Sequence, residues 1–259
     1  MGMTPASNVR GFDAFLISGQ SIYEESTTQK FPLGTRIQVG ERTFRYAHSG
    51  AAIYGGAVAG QPALSGATTT LQTAVPVAVA TVGGATRVYV TAVTTVQAAN
   101  LFAEGYAVIS EVTATPDAVY TFRIKSHTSL ALTGTASYID MYDEIPVALD
   151  TSDRLALTTS LYKDIIVLPV STATGAPLGV TPIVITSGYY FWLQTWGPCG
   201  IRMEVGATGI GTDVIMATTP AAAGSPIVDA ASTVGTRIGY LLNIGTDDYG
   251  ALVYLQLAP

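Results

Sequence analysis

The chain has 259 residues, of which 12% are charged and 48% hydrophobic, and its formal net charge is −6. This length allows one large domain or two smaller ones, and we predict two. So few charges, with a mean hydropathy of +0.38, indicate that a membrane or a large subunit interface covers part of the surface. Because no apolar run approaches the ~20 residues of a membrane helix, we expect assembly with other subunits and no membrane contact.

The basic residues and the single cysteine exclude further classes. Only three of the twelve basic residues are lysines, so no basic stripe is available to neutralise phosphates, and nucleic-acid binding is not predicted. Cys199 has no partner for an intrachain disulfide, and its apolar neighbours indicate a buried thiol rather than a nucleophile.

Residues 1–27 are predicted to form an N-terminal arm. They mix Gly, Ser, Thr, Gln and Glu, with a largely apolar patch at 12–17 and an acidic, polar run that begins at Tyr23. Arms of this kind often become ordered only against a neighbouring subunit. A frayed terminus and an assembly tether are both compatible with the pattern.

From Phe31 onward, short alternating segments predict β-strands. Residues 35–39 and 43–46 alternate on either side of a Gly-Glu turn and predict a hairpin. In residues 119–125, the three apolar side chains Tyr120, Phe122 and Ile124 should face inward. The same reasoning predicts strands at 87–93, 106–112, 129–132, 144–149, 154–158, 165–170, 201–205, 214–217, 237–244 and 251–257.

Helix is scarce in this pattern. Residues 95–104, closed by Gly105, are the one segment that favours a short helix. Strands at regular intervals without long helices between them favour antiparallel pairing, since parallel strands need crossovers of about a dozen residues. The predicted fold class is therefore all-β, an antiparallel sandwich or barrel-like structure with at most one short helix.

Residues 188–200 hold both tryptophans and the only cysteine. Their aromatic and β-favouring composition predicts a buried core strand, with Trp192 on one face, Phe191 on the other, and Gly197-Pro198 as its end. We expect Trp192 to be mostly buried. An exposed Trp192 beside Trp196 would instead indicate a platform for stacking sugars.

A short sequence echo links the two ends of the chain. Gly-Thr-Arg-Ile follows Leu33 and again follows Val234, which suggests the same glycine-to-strand entry at both places. We therefore predict that residues 28–76 and 186–259 build one β domain. Residues 77–185 would form a second β domain inserted into it.

Candidates for chemistry are few. We interpret His48 and His127 as loop or surface histidines, and no Gly-x-Ser-x-Gly elbow occurs. The acidic clusters at 140–144, 150–153 and 247–248 could offer oxygen ligands to Ca²⁺, but their spacing is not that of a calcium loop. The glycine-rich run 206–211 lacks a following helix and is interpreted as a turn. The sequence therefore predicts no catalytic, cofactor-binding or metal-binding residue, no cofactor and no enzyme, and it identifies no ligand-binding residue.

Several of these segments resemble one group of viral proteins. They are Phe31-Pro-Leu-Gly-Thr-Arg with the strand after it, residues 101–110 and 120–125, Gly-Tyr-Tyr-Phe-Trp-Leu-Gln-Thr-Trp-Gly-Pro from 188, and residues 235–242 and 251–257. Together they resemble the capsid decoration (cement) proteins and related virion structural proteins of tailed bacteriophages. The resemblance implies a β-rich protein on the outer capsid surface, often a homotrimer, that clamps neighbouring major capsid proteins and has no catalytic residues.

The expected function is binding rather than turnover. A slightly acidic protein suits the outside of a phage head better than its DNA-facing lumen, and a low charge fraction suits a surface covered by neighbours. The alternative is a tail or head-fibre adhesin that binds host glycan through exposed aromatic residues. A β-rich hydrolase has only generic acids and two scattered histidines in its favour.

Overall fold

The computed structural model describes residues 19–62, 71–91, 95–110, 119–134, 136–169, 175–203, 209–217, 223–228, 235–243 and 250–259. Within these ranges the regular elements are sixteen β-strands, no helix occurs, and every pair of strands runs antiparallel. The all-β prediction is confirmed. The strands are β1 (Arg36–Val39), β2 (Arg42–His48), β3 (Val58–Gly60), β4 (Leu71–Pro76), β5 (Arg87–Tyr89), β6 (Tyr106–Ser110), β7 (Val119–His127), β8 (Tyr138–Met141), β9 (Arg154–Thr158), β10 (Ile166–Val167), β11 (Pro177–Val180), β12 (Tyr190–Arg202), β13 (Asp213–Ala217), β14 (Ile227–Val228), β15 (Gly235–Asn243) and β16 (Gly250–Gln256).

The chain divides into two compact units. The larger unit is Met1–Ala63 with Tyr162–Pro259, and the smaller unit is Leu64–Leu161. The boundaries therefore differ from the predicted 28–76 with 186–259 and 77–185. Strand β4 pairs with β9 in the smaller unit, whereas β10 and β11 pair with β3 in the larger one. The alternation of side chains along a strand shows which of them share a face, but it does not show with which strand they pair. For this reason the sequence-based boundaries place β4, β10 and β11 in the wrong unit.

The echoed glycines also differ in structure. Gly34 has a φ of 80° in the turn before β1, whereas Gly235 is the first residue of β15 itself. The two sites therefore do not share one strand entry.

Strand β12 is the centre of the larger unit's ten-stranded sheet. Its first half, from Tyr190 to Trp196, pairs with β2, and its second half, from Trp196 to Arg202, pairs with β16. Trp192 lies in one apolar cluster and Phe191 in another, as the alternation predicted. Trp192 is completely buried, which confirms the expectation for that side chain.

The predicted end of this strand at Gly197-Pro198 is wrong. Gly197 has a φ of 85°, and the register with β2 shifts between Gln194 and Trp196. A bulge of this kind bends a strand without ending it, and it tolerates a proline whose missing N–H would interrupt a regular ladder. The strand therefore continues to Arg202 and exchanges β2 for β16 as its partner.

The smaller unit is a six-stranded sheet in the order β4-β9-β6-β7-β8-β5. One face of this sheet packs on a core that includes Phe102, Ile109, Phe122 and Ile124. The alternation predicted for residues 119–125 is confirmed, since Phe122 and Ile124 are buried while Thr121 and Lys125 are exposed.

Two other local predictions for the smaller unit are wrong. Residues 95–104 form turns instead of a helix, because Asn100 and Glu104 adopt φ values of 60° and 63°, which end a right-handed helix. Residues 129–132 and 144–149 contribute only the isolated bridges of Leu130 and Leu149 rather than strands.

The described part of the predicted arm lies on its own chain. Gln20 and Ile22 are buried in the larger unit, and Ser26 forms an antiparallel bridge with Tyr190. Residues 1–18 lie outside the described residues.

Candidate protein interface

The outward face of the six-stranded sheet carries four tyrosines. Because Phe122, Ile124, Ile139 and Met141 point into the core, the residues that alternate with them point away from it. We call this surface the tyrosine face and define it by its tyrosines and the two arginines between them, which are Tyr89, Tyr106, Tyr138, Tyr142, Arg87 and Arg123. These side chains are exposed or half-buried.

One row of the tyrosine face crosses three chain segments. Tyr106 of β6 stands opposite Arg123 of β7, and the N–H of Tyr142 donates to the carbonyl of Arg123 at 3.0 Å. The Arg123 guanidinium lies 5.5 Å from the centre of the Tyr142 ring, within the range of a cation–π contact. Tyr106 and Tyr142 remain 40% and 48% exposed. The row therefore presents an arginine with one tyrosine ring on each side of it.

A second cluster is held in place by an ion pair. Arg87 donates from Nε and Nη2 to the two carboxylate oxygens of Asp140, at 2.7 and 3.0 Å. The same guanidinium lies 3.8 Å from the centre of the Tyr138 ring, and Tyr138 contacts Tyr89 edge to face at 6.1 Å. The hydrogen bond from Arg87 holds the pKa of Asp140 below its usual value, and burial opposes that shift. A bidentate pair of this kind fixes the orientation of both side chains.

The charge of this face is opposite to that of its unit. Residues 64–161 contain four basic and eight acidic residues. All four basic residues lie on strands at positions that alternate with core residues, so all four project from the outward face. They are Arg87, Arg123, Lys125 and Arg154. An acidic partner surface would complement this arrangement.

Exposed apolar side chains are also concentrated in the smaller unit. Of the twelve large hydrophobic side chains that are exposed among the described residues, eight belong to this unit, although it is the shorter one. Only contiguous apolar patches mark contact surfaces, and two of the eight belong to the tyrosine face. The eight are Val79, Val82, Val96, Tyr106, Val119, Leu132, Tyr142 and Leu161.

His48 does not stand free in a loop. Its Nδ1 lies 2.6 Å from Oδ1 of Asp164, and its ring lies 4.6 Å from the Tyr190 ring. The hydrogen bond from His48 lowers the pKa of Asp164, while partial burial opposes that shift. The neighbouring Ser49 hydroxyl donates to the carbonyl of Thr186 at 2.7 Å, so it is not aligned as a nucleophile for this histidine. The pair links two segments and does not complete a catalytic triad.

The interpretation of His127 as a surface histidine is wrong. Its side chain is buried, Nδ1 donates to the carbonyl of Thr128 at 2.6 Å, and Nε2 accepts from the N–H of Phe102 at 2.9 Å. One nitrogen that donates and one that accepts define a neutral imidazole. His127 therefore connects the end of β7 to the turn around Phe102.

The acidic clusters form turns and ion pairs. Asp140 binds Arg87, and in the 150–153 turn the carboxylate of Asp153 accepts from the N–H of Asp150 at 2.8 Å. Across the part of the chain that the structure describes, no group of three or more His, Cys, Asp or Glu side chains could hold a metal ion. Residues 247–248 and the first half of the glycine-rich run, 206–208, lie outside that part, whereas residues 209–211 lie in a turn.

Trp192 and Trp196 do not form the sugar-stacking platform that an exposed Trp192 would have indicated, since Trp192 is buried. Trp196 instead contacts Tyr254 at 6.0 Å with an interplanar angle of 81°, and Tyr254 stacks on Tyr240 at 5.3 Å. Tyr240 and Tyr254 therefore each cover one face of the other's ring. Cys199 is buried as predicted, and burial raises the pKa of its thiol to about 12.

Sequence reasoning missed the tyrosine face because it assigned the strand tyrosines to core packing. A signal was present in the run Tyr138-Ile-Asp-Met-Tyr142. In a strand, this alternation puts the two tyrosines and Asp140 on one side and the two aliphatic residues on the other. The charged residue between the tyrosines indicates which side faces water.

Among the described residues, no helix is long and apolar enough to cross a membrane. Comparison with protein-family models, with curated proteins and with solved structures found no match.

Proposed function

We propose that the protein is a virion structural protein that binds the outer surface of a bacteriophage capsid and stabilises it by bridging major capsid protein subunits. The observation that carries this proposal is the tyrosine face. Tyrosine and arginine are the residues most enriched at protein interfaces, where they supply large contact areas and directional hydrogen bonds. The resemblance of several chain segments to capsid decoration proteins points to the same partner.

The proposed mechanism is avidity. Each contact is weak, but repetition over a shell raises the free energy that capsid rupture requires. A protein with 12% charged residues suits a surface that is covered by neighbours on the particle. We further propose a homotrimer, and the mass of the purified protein in sedimentation equilibrium tests this directly.

The test is co-sedimentation with capsids that lack the protein. We expect Tyr142→Ala and Arg123→Ala to weaken binding by at least about tenfold each, since central aromatic and arginine anchors typically contribute that much. The matched control is Val184→Ala, which truncates an exposed apolar side chain of the larger unit and should bind as the wild type does. Circular dichroism verifies that all variants are folded. Wild-type binding by both tyrosine-face variants would overturn the assignment of this face.

The second candidate is an adhesin that binds host glycan. Tyr106 and Tyr142 favour it, because exposed aromatic rings on an open sheet face can stack on the apolar side of a sugar ring. A glycan array separates the two functions. Glycan binding that Tyr142→Ala abolishes, without co-sedimentation on capsids, would support the adhesin. Capsid binding without glycan hits would support the decoration protein.

A further inference from the structure

Residues 19–26 lie along one edge of β12, and we call this segment the strap. The N–H of Ser26 donates to the carbonyl of Tyr190 at 2.9 Å, and the N–H of Tyr190 donates back to Ser26 at 2.8 Å. On its other side Tyr190 pairs with His48 of β2. The strap therefore contacts the edge of β12 through one pair of main-chain hydrogen bonds, at Ser26, and its other contacts involve side chains.

Gln20 gives the strap its specificity. Its Oε1 accepts from the hydroxyl of Tyr46 at 2.9 Å, and its Nε2 donates to the carbonyl of Tyr190 at 3.1 Å. The main-chain carbonyl of Gln20 accepts a hydrogen bond from Nε1 of Trp192 at 3.2 Å. Gln20 is 1% exposed, so these hydrogen bonds are shielded from water. A side chain without an acceptor at this position would leave the buried hydroxyl of Tyr46 without the acceptor it has in Gln20.

Two further side chains extend the recognition. Ile22 packs in the apolar cluster that contains Tyr46 and Trp192. The Glu25 carboxylate accepts from the N–H and the hydroxyl of Thr186 at 2.7 and 2.8 Å. We call the surface formed by Tyr46, Thr186, Tyr190 and Trp192 the groove, and it contacts the side chains at positions 20, 22 and 25 of the strap.

The connection between the strap and β1 is different in character. Residues 27–30 are all exposed, so they can change their path without loss of core packing. A buried, specifically bound segment on an exposed tether is the arrangement that permits exchange between identical chains.

We propose that this groove is a peptide-binding site that accepts the strap of a second copy of this chain as well as its own. The bonds made by either strap are the same, so their competition depends on concentration. A short flexible tether gives an effective concentration of roughly millimolar. The chain's own strap therefore prevails in dilute solution, and exchange becomes substantial where copies are crowded. This inference stands apart from capsid binding, because it depends on the larger unit alone.

The test uses two full-length variants, Ser26→Cys and Tyr190→Cys. Residues that exchange two main-chain hydrogen bonds have Cα atoms about 5.5 Å apart, which suits a disulfide. The two variants are refolded together at rising concentration up to roughly millimolar, oxidised, and separated on a non-reducing gel. We expect a covalent heterodimer whose yield rises with concentration. Each variant refolded and oxidised alone is the control for disulfide-linked dimers that form by random collision.

Two controls make the result decisive. A single chain that carries both Ser26→Cys and Tyr190→Cys should form an intramolecular disulfide, which verifies the geometry and the folding. If that disulfide does not form, Glu25→Cys and Thr186→Cys are used as the cysteine pair instead. Adding Gln20→Ala to the Ser26→Cys chain should reduce the heterodimer several-fold. A heterodimer yield no higher than that of the single variants, or one that Gln20→Ala leaves unchanged, overturns the proposal.

Discussion

Asp164 and His48 are separated by 116 residues in sequence, yet Oδ1 of Asp164 lies 2.6 Å from Nδ1 of His48. The contact joins the end of β2 to the segment that follows the smaller unit. Gly50 makes this close approach possible, because a Cβ there would lie 2.5 Å from the Asp164 carbonyl oxygen. The close approach of the two segments therefore depends on one glycine and one hydrogen bond.

This pair predicts an acid-sensitive contribution to stability. The pKa of Asp164 is lowered in the folded state, mainly by its hydrogen bond from His48. A carboxyl group of this kind stabilises the fold above its unfolded pKa of about 3.9, and the contribution is lost as the pH falls through the lower folded value. Because the Asp164 side chain is 49% exposed, we expect Asp164→Asn to reduce the free energy of unfolding by only about 0.5–1 kcal/mol at pH 7.

Urea denaturation followed by tryptophan fluorescence measures this effect. Both tryptophans belong to the larger unit, so the signal reports the unit that contains the pair. The difference between Asp164→Asn and the wild type should shrink below about pH 4. Asp143→Asn, which removes an exposed carboxylate of the smaller unit, is the control. An equal loss at pH 7 and at low pH would contradict a stabilising role of the ionised Asp164 carboxylate.

The bulge in β12 predicts a contrast between two glycines of the same strand. Gly197 has a φ of 85°, and a Cβ there would lie 2.5 Å from the carbonyl oxygen of Glu41. Gly200 has no neighbouring atom within 4 Å of such a Cβ. We expect Gly197→Ala to cost roughly 1–3 kcal/mol and Gly200→Ala to change stability little. Urea unfolding monitored by tryptophan fluorescence compares them, and equal costs would show that the bulge is not required.

His127 predicts a local loss of stability in the smaller unit. His127→Ala removes the acceptor of the buried Phe102 N–H, which should cost about 1–3 kcal/mol. Hydrogen exchange read by mass spectrometry should show faster exchange in peptides that cover 98–105 and 119–127. Ser126→Ala, at the adjacent half-buried position, should leave protection unchanged. Unaltered exchange in His127→Ala would argue against the structural role of the imidazole.

Cys199 predicts a thiol that reacts only after unfolding. Burial raises its pKa to about 12, and the thiolate is the reactive form. We expect negligible reaction with a disulfide reagent at pH 8 in native protein. In concentrated guanidinium chloride one equivalent should react. Rapid labelling of the native protein would show that the region around β12 opens readily.

The sequence was most informative where alternation is regular. Residues 119–125 and the hairpin at 35–46 fold as predicted, because one buried face per strand leaves a clear pattern. The pattern contains no information about pairing partners, and for that reason β10 and β11 were assigned to the wrong unit. The left-handed φ angles at Asn100 and Glu104 also leave no distinct signal in a segment whose composition favours helix.

The candidate site was harder to predict than the fold. Tyrosine suits both a core and an interface, so the composition of β6 and β8 does not distinguish the two. His127 was misjudged for a related reason, since its neighbours Arg123 and Lys125 are outward residues of the same strand. Only the register shift between Ile124 and Ser126 places the imidazole on the inner side.

The shared strand β12 also sets the order in which the chain can fold. Its two halves pair with β2 and β16, segments near opposite ends of the sequence, whereas the strands of the smaller unit all lie within Leu64–Leu161. Contacts between distant segments form slowly because long loops must close first. During synthesis the smaller unit can therefore fold as soon as its own residues leave the ribosome. The larger sheet cannot be completed until β16 has left the ribosome, although β1 to β3 are synthesised before the smaller unit.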